Sequence, residues 1–398
     1  MSSSAAPEAP QDQNLLTPYI KSLLLEPPNL TPSDLSVVLK LIIQGYSNDC
    51  QVSSFLTALK IRKLDQQPQY ISAAARTMLE FSHLLPLLVL PQDDSLRYLD
   101  IVGTGGDGKN TFNVSTSSAI IAAGIQNLKV VKHGGKASSS SVGSGDLIAQ
   151  LGINVSNINL NSLPDLINDP SINFIFLFAP IFHPIMKNLV DLRKNLNIPT
   201  IFNILGPLIN PFPKITSRII GVNNEALGPI FANTCNLIDR SLDNNNTNTM
   251  IVYGEIGLDE ISPQGKTKIW LTNSSSSSNP TENDNRNADS SNNPTGSNII
   301  CKTISPADFG LKEHSIDNVK SGTPEENARF LIDLLNNRVP LDTNLPLVDY
   351  ILMNTAALCV VAGVADDWKK GVELAKTSIL SGNALASLTS LAHSTNAF

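Results

Sequence analysis

From Leu15 to about Leu85 apolar residues recur at helical spacing. Thr31-Pro32-Ser33-Asp34 reads as a helix start, a hydroxyl able to accept from an early amide followed by a proline already set at helical φ. Leu35, Val38, Leu39, Ile42 and Ile43 then mark one buried face. Further helices are predicted over Val52–Ile61 and Tyr70–Leu84, and no strand pattern interrupts them. After Asp93-Asp94 the pattern changes. Short apolar runs at Leu99–Val102, Lys129–Val131, Phe174–Phe178, Ile201–Asn203, Ile219–Val222 and Met250–Tyr253 alternate with helical segments. That alternation predicts a mostly parallel sheet covered on both faces. Helical periodicity returns over Tyr350–Val364 and Trp368–Ser381. The expectation is an α/β protein: a small N-terminal helical domain (residues 14–90, which later helical segments are free to join) packed on a larger α/β domain (95–398). Residues 1–13 and 272–299 are polar and Pro/Ser/Asn-rich, and read as a disordered tail and a low-complexity insertion.

Of 398 residues, 41% are hydrophobic and 16% charged, which is ample material for a core. No run approaches the roughly 18 apolar residues of a membrane span. Lys and Arg number 28 against 35 Asp and Glu, a net charge of −7 that disfavours nucleic-acid or anionic-membrane partners. The N-terminus lacks the basic and apolar regions of a secretory signal, and its lack of Arg argues against a transit peptide. Cys50, Cys235, Cys301 and Cys359 are far apart, so neither zinc nor a disulfide framework is expected, and the cytosol is the expected compartment.

Three polar stretches follow predicted strands. Asp100 to Thr116 runs strand, glycine-rich turn, helix start. Gly103, Gly105, Gly106 and Gly108 permit close backbone approach and positive φ. Successive N–H groups in such a turn, with Asn113, Ser115 and Thr116 at the start of a helix through Ala119–Gly124, suit phosphate; an ordinary capped turn is the alternative. Val131 to Asp146 carries Lys132, Lys136, Ser138–Ser141 and Ser144, and taken alone it reads as a linker. His133 by itself reads as a structural histidine. Two donor-rich loops after neighbouring strands suit a ligand with two separate phosphates. Asp259 and Glu260, adjacent acids after Met250–Tyr253, are either a solvated face or hard ligands for Mg²⁺. On a helix from Pro184, Met186, Val190 and Arg193 share one side, and Arg193 is either a surface residue or a fork for a carboxylate. Gly206-Pro207 makes a rigid turn suited to lining a flat pocket.

These stretches, with Ser53–Lys60 and Met353–Ala357, occur in the order seen in the anthranilate phosphoribosyltransferase family of tryptophan biosynthesis, which the chain resembles over about residues 14–395 apart from the insertion. The resemblance implies transfer of the phosphoribosyl group from 5-phosphoribosyl 1-diphosphate to anthranilate, with Mg²⁺ (two per active site) and a homodimer formed through the helical part. It implies a phosphoribosyl diphosphate site of Gly103, Gly105, Gly106, Asp107, Thr111, Asn113, Val114, Ser115 and Thr116. A second loop of Lys132, His133, Gly134, Gly135, Lys136, Ala137, Ser138, Ser139 and Ser140, with Ser144, would complete it. Metal would be held by Ser115, Asp259 and Glu260, and electrostatic catalysis carried by Lys132, Asp259 and Glu260. Anthranilate would meet Gly103, Gly135, His183, Arg193, Gly206 and Pro207. The family commonly has KHGNR where this chain has KHGGK, so Gly135 offers only backbone, and Lys136 keeps the charge without the planar fork. The rival expectations are a pyrimidine nucleoside phosphorylase, which has little use for an acidic metal pair, and a non-catalytic nucleic-acid-binding homologue, against which the net charge argues.

Overall fold

The computed structural model describes residues 14–91, 93, 95–136, 143–242, 247–273 and 299–397. These divide into two compact units. The first runs to Ser82 and takes in His183–Ile209; the second comprises His83–Phe182 and the chain from Asn210 onward. The expected tail 1–13 lies outside the described residues, as do residues 274–298 of the expected insertion.

The first unit begins with α1 (Thr17–Leu24), α2 (Pro32–Ile43), α3 (Asp49–Ile61) and α4 (Pro68–Glu80). Thr31 and Asp34 close a reciprocal cap on α2: Asp34 N–H donates to Thr31 Oγ1 at 3.1 Å, and Thr31 N–H to Asp34 Oδ2 at 2.9 Å. The five apolar positions predicted for its inner face are all buried. Helix α4 stops at Glu80, short of the predicted Leu84.

The second unit is built on seven strands: β1 (Arg97–Gly103), β2 (Leu128–Gly134), β3 (Phe174–Phe178), β4 (Ser217–Gly221), β5 (Asn248–Gly254), β6 (Thr267–Asn273) and β7 (Ile300–Ile304). They lie in the order β3-β2-β1-β4-β5-β6-β7. The first four pairings are parallel, and the last two antiparallel. The two antiparallel strands were not expected, and Thr272 and Asn273, assigned to the insertion, close β6. In chain order the helices of this unit are α5 (Val114–Ala122), α6 (Ser144–Gln150), α7 (Leu163–Asn168) and α8 (Ala179–Phe182). The chain then enters the first unit for α9 (Val190–Leu196) and returns for α10 (Leu227–Ser241), α11 (Pro324–Leu335), α12 (Pro346–Val361), α13 (Trp368–Leu380) and α14 (Asn383–Ala397). The core is the strand interiors with α5 and α12, which pack against each other and, through α12, on β4.

Ile201–Asn203, expected as a strand, is a 3₁₀ turn: Thr200 and Asn203 cap it, and Asn203 N–H closes it on the Thr200 carbonyl at 2.9 Å. Among the described residues no helix is long and apolar enough to cross a membrane.

Candidate active site

The strand order reverses between β1 and β4, and open α/β sheets bind ligands beyond the carboxyl ends of their strands at such a point. Both strands end there in glycine, with Gly103 paired to Gly221. A Cβ on Gly103 would lie 2.2 Å from Asp259 Oδ2, and one on Gly221 1.5 Å from the Asp259 carbonyl oxygen. The missing side chains let the acidic loop after β5 settle over the sheet end.

The glycine turn meets that loop directly. Gly105, Gly106 and Gly108 have φ of 68°, 78° and 66°, open to glycine at little cost. The Gly105 N–H donates to Asp259 Oδ2 at 2.6 Å, and Thr111 Oγ1 donates to Glu260 Oε2 at 3.3 Å. Asn223 Nδ2 donates to the Gly105 carbonyl at 2.6 Å, pinning the turn to the segment after β4. Asp107 accepts from its own turn, from the Lys109 N–H at 3.0 Å. Val114 opens α5, and no side chain caps it, because Asn113 instead accepts from Asn327 Nδ2 at 2.9 Å. The hydroxyls of Thr116 and Ser117 are buried and have no hydrogen-bond partner among the described residues. An uncapped helix start beside a positive-φ turn has the chemistry that suits an anion.

Burial sets the charge balance. It pushes Asp259 up to about 7, with the neighbouring Asp107 carboxylate adding to the rise. Glu260 stands well above the usual carboxylate range, chiefly from burial and then from Asp259, while a hydrogen bond from Tyr350 opposes the shift. Lys132 is buried with its ammonium on the Ile101 carbonyl and 3.5 Å from Ser115 Oγ. Burial lowers its pKa, with Asp100 and Glu260 pulling the other way. Asp100 is raised by burial, partly offset by Lys132, and accepts from Asn210 Nδ2 at 2.8 Å and the His133 N–H at 3.3 Å. Asp107, Asp259 and Glu260 thus crowd more negative charge than one ammonium offsets, the condition that a divalent cation relieves. Among the described residues no three His, Cys, Asp or Glu side chains form a complete metal cluster, so the remaining oxygens have to come from Ser115, water or a bound phosphate.

The second loop leaves β2 through Lys132, His133 and Gly134, with Gly135 and an exposed Lys136 following. Ala137, Ser138, Ser139 and Ser140 lie outside the described residues. Ser144 heads α6, and the Gly145 N–H donates to the Gly135 carbonyl at 2.9 Å, drawing the loop's two ends together. A Cβ on Gly135 would meet nothing within 4 Å.

The other four candidates lie in the first unit. His183 is buried, its Nδ1 2.6 Å from Ser82 Oγ. Arg193 is half-buried, its side chain forms no ion pair or hydrogen bond with a described residue, and burial lowers its pKa. Gly206 and Pro207 form a 3₁₀ turn in which Pro207 is buried. The single helix expected from Pro184 is a 3₁₀ stretch, Pro184–Leu189, running into α9. The change of pitch falls between Met186 and the other two: Val190, 57% exposed, and the half-buried Arg193 both lie in α9.

Sequence reading missed Asn210, Asn223, Asn327 and Tyr350. Each acts over long sequence separation, and only the NP step after Asn210 and the MNTAA stretch beside Tyr350 offered a local cue.

Residues 17–82 match the helical bundle domain of a glycosyl transferase family, and residues 95–289 and 290–385 its a/b domain. The anthranilate phosphoribosyltransferase of Saccharomyces cerevisiae is 43% identical over 393 residues, covering 94% of this chain and 96% of that protein. A solved structure of the Saccharomyces cerevisiae enzyme in complex with PRPP and Mg superposes with a TM-score of 0.83 at 40% identity, covering 98% of this chain and 99% of the other. Another, in complex with 4-fluoroanthranilate, gives 0.82 at 39%, covering 96% and 98%.

Proposed function

The chain belongs to the anthranilate phosphoribosyltransferases, glycosyl transferases of tryptophan biosynthesis, and from that premise we propose how its residues move a phosphoribosyl group from 5-phosphoribosyl 1-diphosphate to the amine of anthranilate. The observation that carries the reading is the convergence in one unit of the glycine turn, Lys132 and the acidic pair, joined by the Gly105–Asp259, Thr111–Glu260 and Lys132–Ser115 contacts.

The bond that breaks runs from ribose C1 to the diphosphate oxygen, and the bond that forms runs from C1 to the anthranilate nitrogen, which then sheds a proton. Charge builds on the departing diphosphate, so most of the catalytic effect is electrostatic. The N–H groups of residues 106–108, the first turn of α5 and the hydroxyls of Ser115 and Thr116 receive the diphosphate. Lys132 faces it with a cation fixed by the Ile101 carbonyl. Asp259, Glu260 and Ser115 would hold Mg²⁺, two ions per site, which would screen the leaving group's charge. The second loop, from Lys132 to Ser140 with Ser144, binds the phosphoribosyl portion. Arg193 takes the carboxylate of anthranilate: a half-buried guanidinium without a partner among the described residues suits a bidentate acid. His183, Gly206 and Pro207 surround the acceptor ring with it. The aromatic amine is neutral near pH 7, so no general base and no covalent enzyme intermediate is required.

We propose that the enzyme is a cytosolic homodimer formed through its helical unit. Leu24, Leu25 and Ile61, 66%, 50% and 72% exposed, offer an apolar face for a second copy.

The test mixes the protein with anthranilate, 5-phosphoribosyl 1-diphosphate and Mg²⁺ and follows anthranilate fluorescence. Loss of signal that requires all three supports the reading. Wild-type-like turnover in a folded D259A/E260A double variant removes the metal assignment.

A further inference from the structure

Helix α12 reaches the acidic loop from below with two side chains four residues apart, and therefore on one face. Tyr350 is buried, and its phenol donates to Glu260 Oε2. Thr111 donates to that same oxygen at 3.3 Å. Among the described residues no donor reaches Oε1. Asn354, also buried, grips the next residue at both backbone groups: the Ile261 N–H donates to its Oδ1, and its Nδ2 donates to the Ile261 carbonyl, each at 3.2 Å. A carboxylate held by two donors on one oxygen and by none on the other is oriented, and what is oriented is the open oxygen. The loop behind it is kept from twisting by a side-chain amide that pairs like a neighbouring strand.

We infer that Tyr350, supported by Asn354, is a positioning residue that presents the Oε1 oxygen of Glu260 to the divalent cation. The inference rests on the reading of Asp259 and Glu260 as metal ligands given above, and adds a part of the chain about ninety residues away that supplies no ligand itself. Tyr350 touches neither substrate in this account; it acts through Glu260.

Binding of 5-phosphoribosyl 1-diphosphate to the full chain, measured calorimetrically at a series of Mg²⁺ concentrations, tests it without turnover. Tyr350→Phe keeps the ring and removes the donor. It is expected to need about tenfold more Mg²⁺ for half-maximal binding, with affinity at saturating Mg²⁺ within about twofold of the parent. Asn354→Ala is expected to shift the Mg²⁺ requirement in the same direction, and decides the matter if Tyr350→Phe does not fold. Thr355→Val removes a buried hydroxyl on the same helix that, among the described residues, bonds to the Ile351 carbonyl alone, at 2.9 Å. It is expected to lower Tm and leave the Mg²⁺ requirement alone. The inference is overturned if the folded Tyr350 or Asn354 variant needs no more Mg²⁺ than the parent, or if Thr355→Val shifts the requirement as far. A parent protein that does not consume anthranilate overturns the functional reading instead, so the two failures are distinct.

Discussion

Gly221 and Asp259 touch through their backbones: a methyl group on Gly221 would sit 1.5 Å from the Asp259 carbonyl oxygen. The carboxyl end of β4 therefore sets the height at which the acidic loop crosses the sheet. Gly221→Ala must push that loop away, since the obstructing atom is main chain and cannot rotate aside. Overpacking of this kind costs about 1–3 kcal/mol. The expected result is a lower Tm together with at least a tenfold loss of kcat/KM, equivalent to about 1.4 kcal/mol of transition-state binding. A variant that loses stability but keeps full kcat/KM would separate the loop's height from catalysis.

Asp259 makes the metal-free protein pH-sensitive in a defined direction. Its folded-state value, about 7, lies above the ordinary 3.8, so the native state holds the proton more tightly than the unfolded chain. Stability from this group is complete below 3.8 and falls as pH climbs toward 7, because ionising a carboxylate in a buried site beside Asp107 is unfavourable. The metal-free Tm is expected to fall between pH 5 and 7.5, more steeply in the parent than in Asp259→Asn. Mg²⁺ should reverse the fall, and its half-maximal concentration should rise by up to roughly tenfold per pH unit below 7 as protons compete. Differential scanning calorimetry with and without Mg²⁺ reads both effects; equal slopes in parent and variant contradict the assignment.

Arg193 carries a charge into a half-buried position with no described partner, which costs desolvation and returns nothing until a carboxylate arrives. Arg193→Leu is therefore expected to leave Tm unchanged or raise it. The same change should raise KM for anthranilate at least tenfold, roughly the value of a charge-assisted hydrogen-bonded pair. The KM for 5-phosphoribosyl 1-diphosphate should stay put, and Arg193→Lys should recover part of the loss. A drop in Tm with an unchanged anthranilate KM would mark the residue as structural.

How far these features could be read in the chain depended on how local they are. The parallel strands announced themselves as short apolar runs, most of them closed by glycine as at Gly103, Gly134 and Gly221, and one, Phe174–Leu177, fully buried. The glycine turn and the acidic pair were readable for the same reason: the chemistry sits in consecutive residues. Ile201–Asn203 misled because three residues of a β-prone run look alike in a strand and a 3₁₀ turn, and a Thr200–Asn203 cap settles it. Strand β7 was hidden because it is an edge strand whose first four residues are exposed, and β6 because its last two residues read as part of the insertion. The Asn223–Gly105 and Tyr350–Glu260 contacts span over a hundred residues and ninety respectively, and no spacing rule reaches that far. The acceptor candidates rest on family resemblance, and the break between the 3₁₀ stretch Pro184–Leu189 and α9 is a change of helix type that periodicity does not register.

Lys132 has two roles that a single substitution confounds. Its ammonium offsets the buried carboxylate of Asp100, which Asn210 and the His133 N–H hold in place, and it also faces the proposed diphosphate site through Ser115. Lys132→Met leaves Asp100 buried without its cation, an arrangement that costs up to roughly 3 kcal/mol when one partner of a buried pair is removed. Tm and turnover should both fall. Adding Asp100→Asn removes the stranded charge while keeping an acceptor for the His133 N–H, so the double variant is expected to regain most of the lost Tm. It should not regain turnover, because no cation then faces the leaving group. Thermal melts of the two singles and the double, beside single-turnover rates, separate the roles. Recovery of both in the double variant would mean that Lys132 serves the fold alone, and that the leaving group is stabilised by the glycine turn and the metal without it.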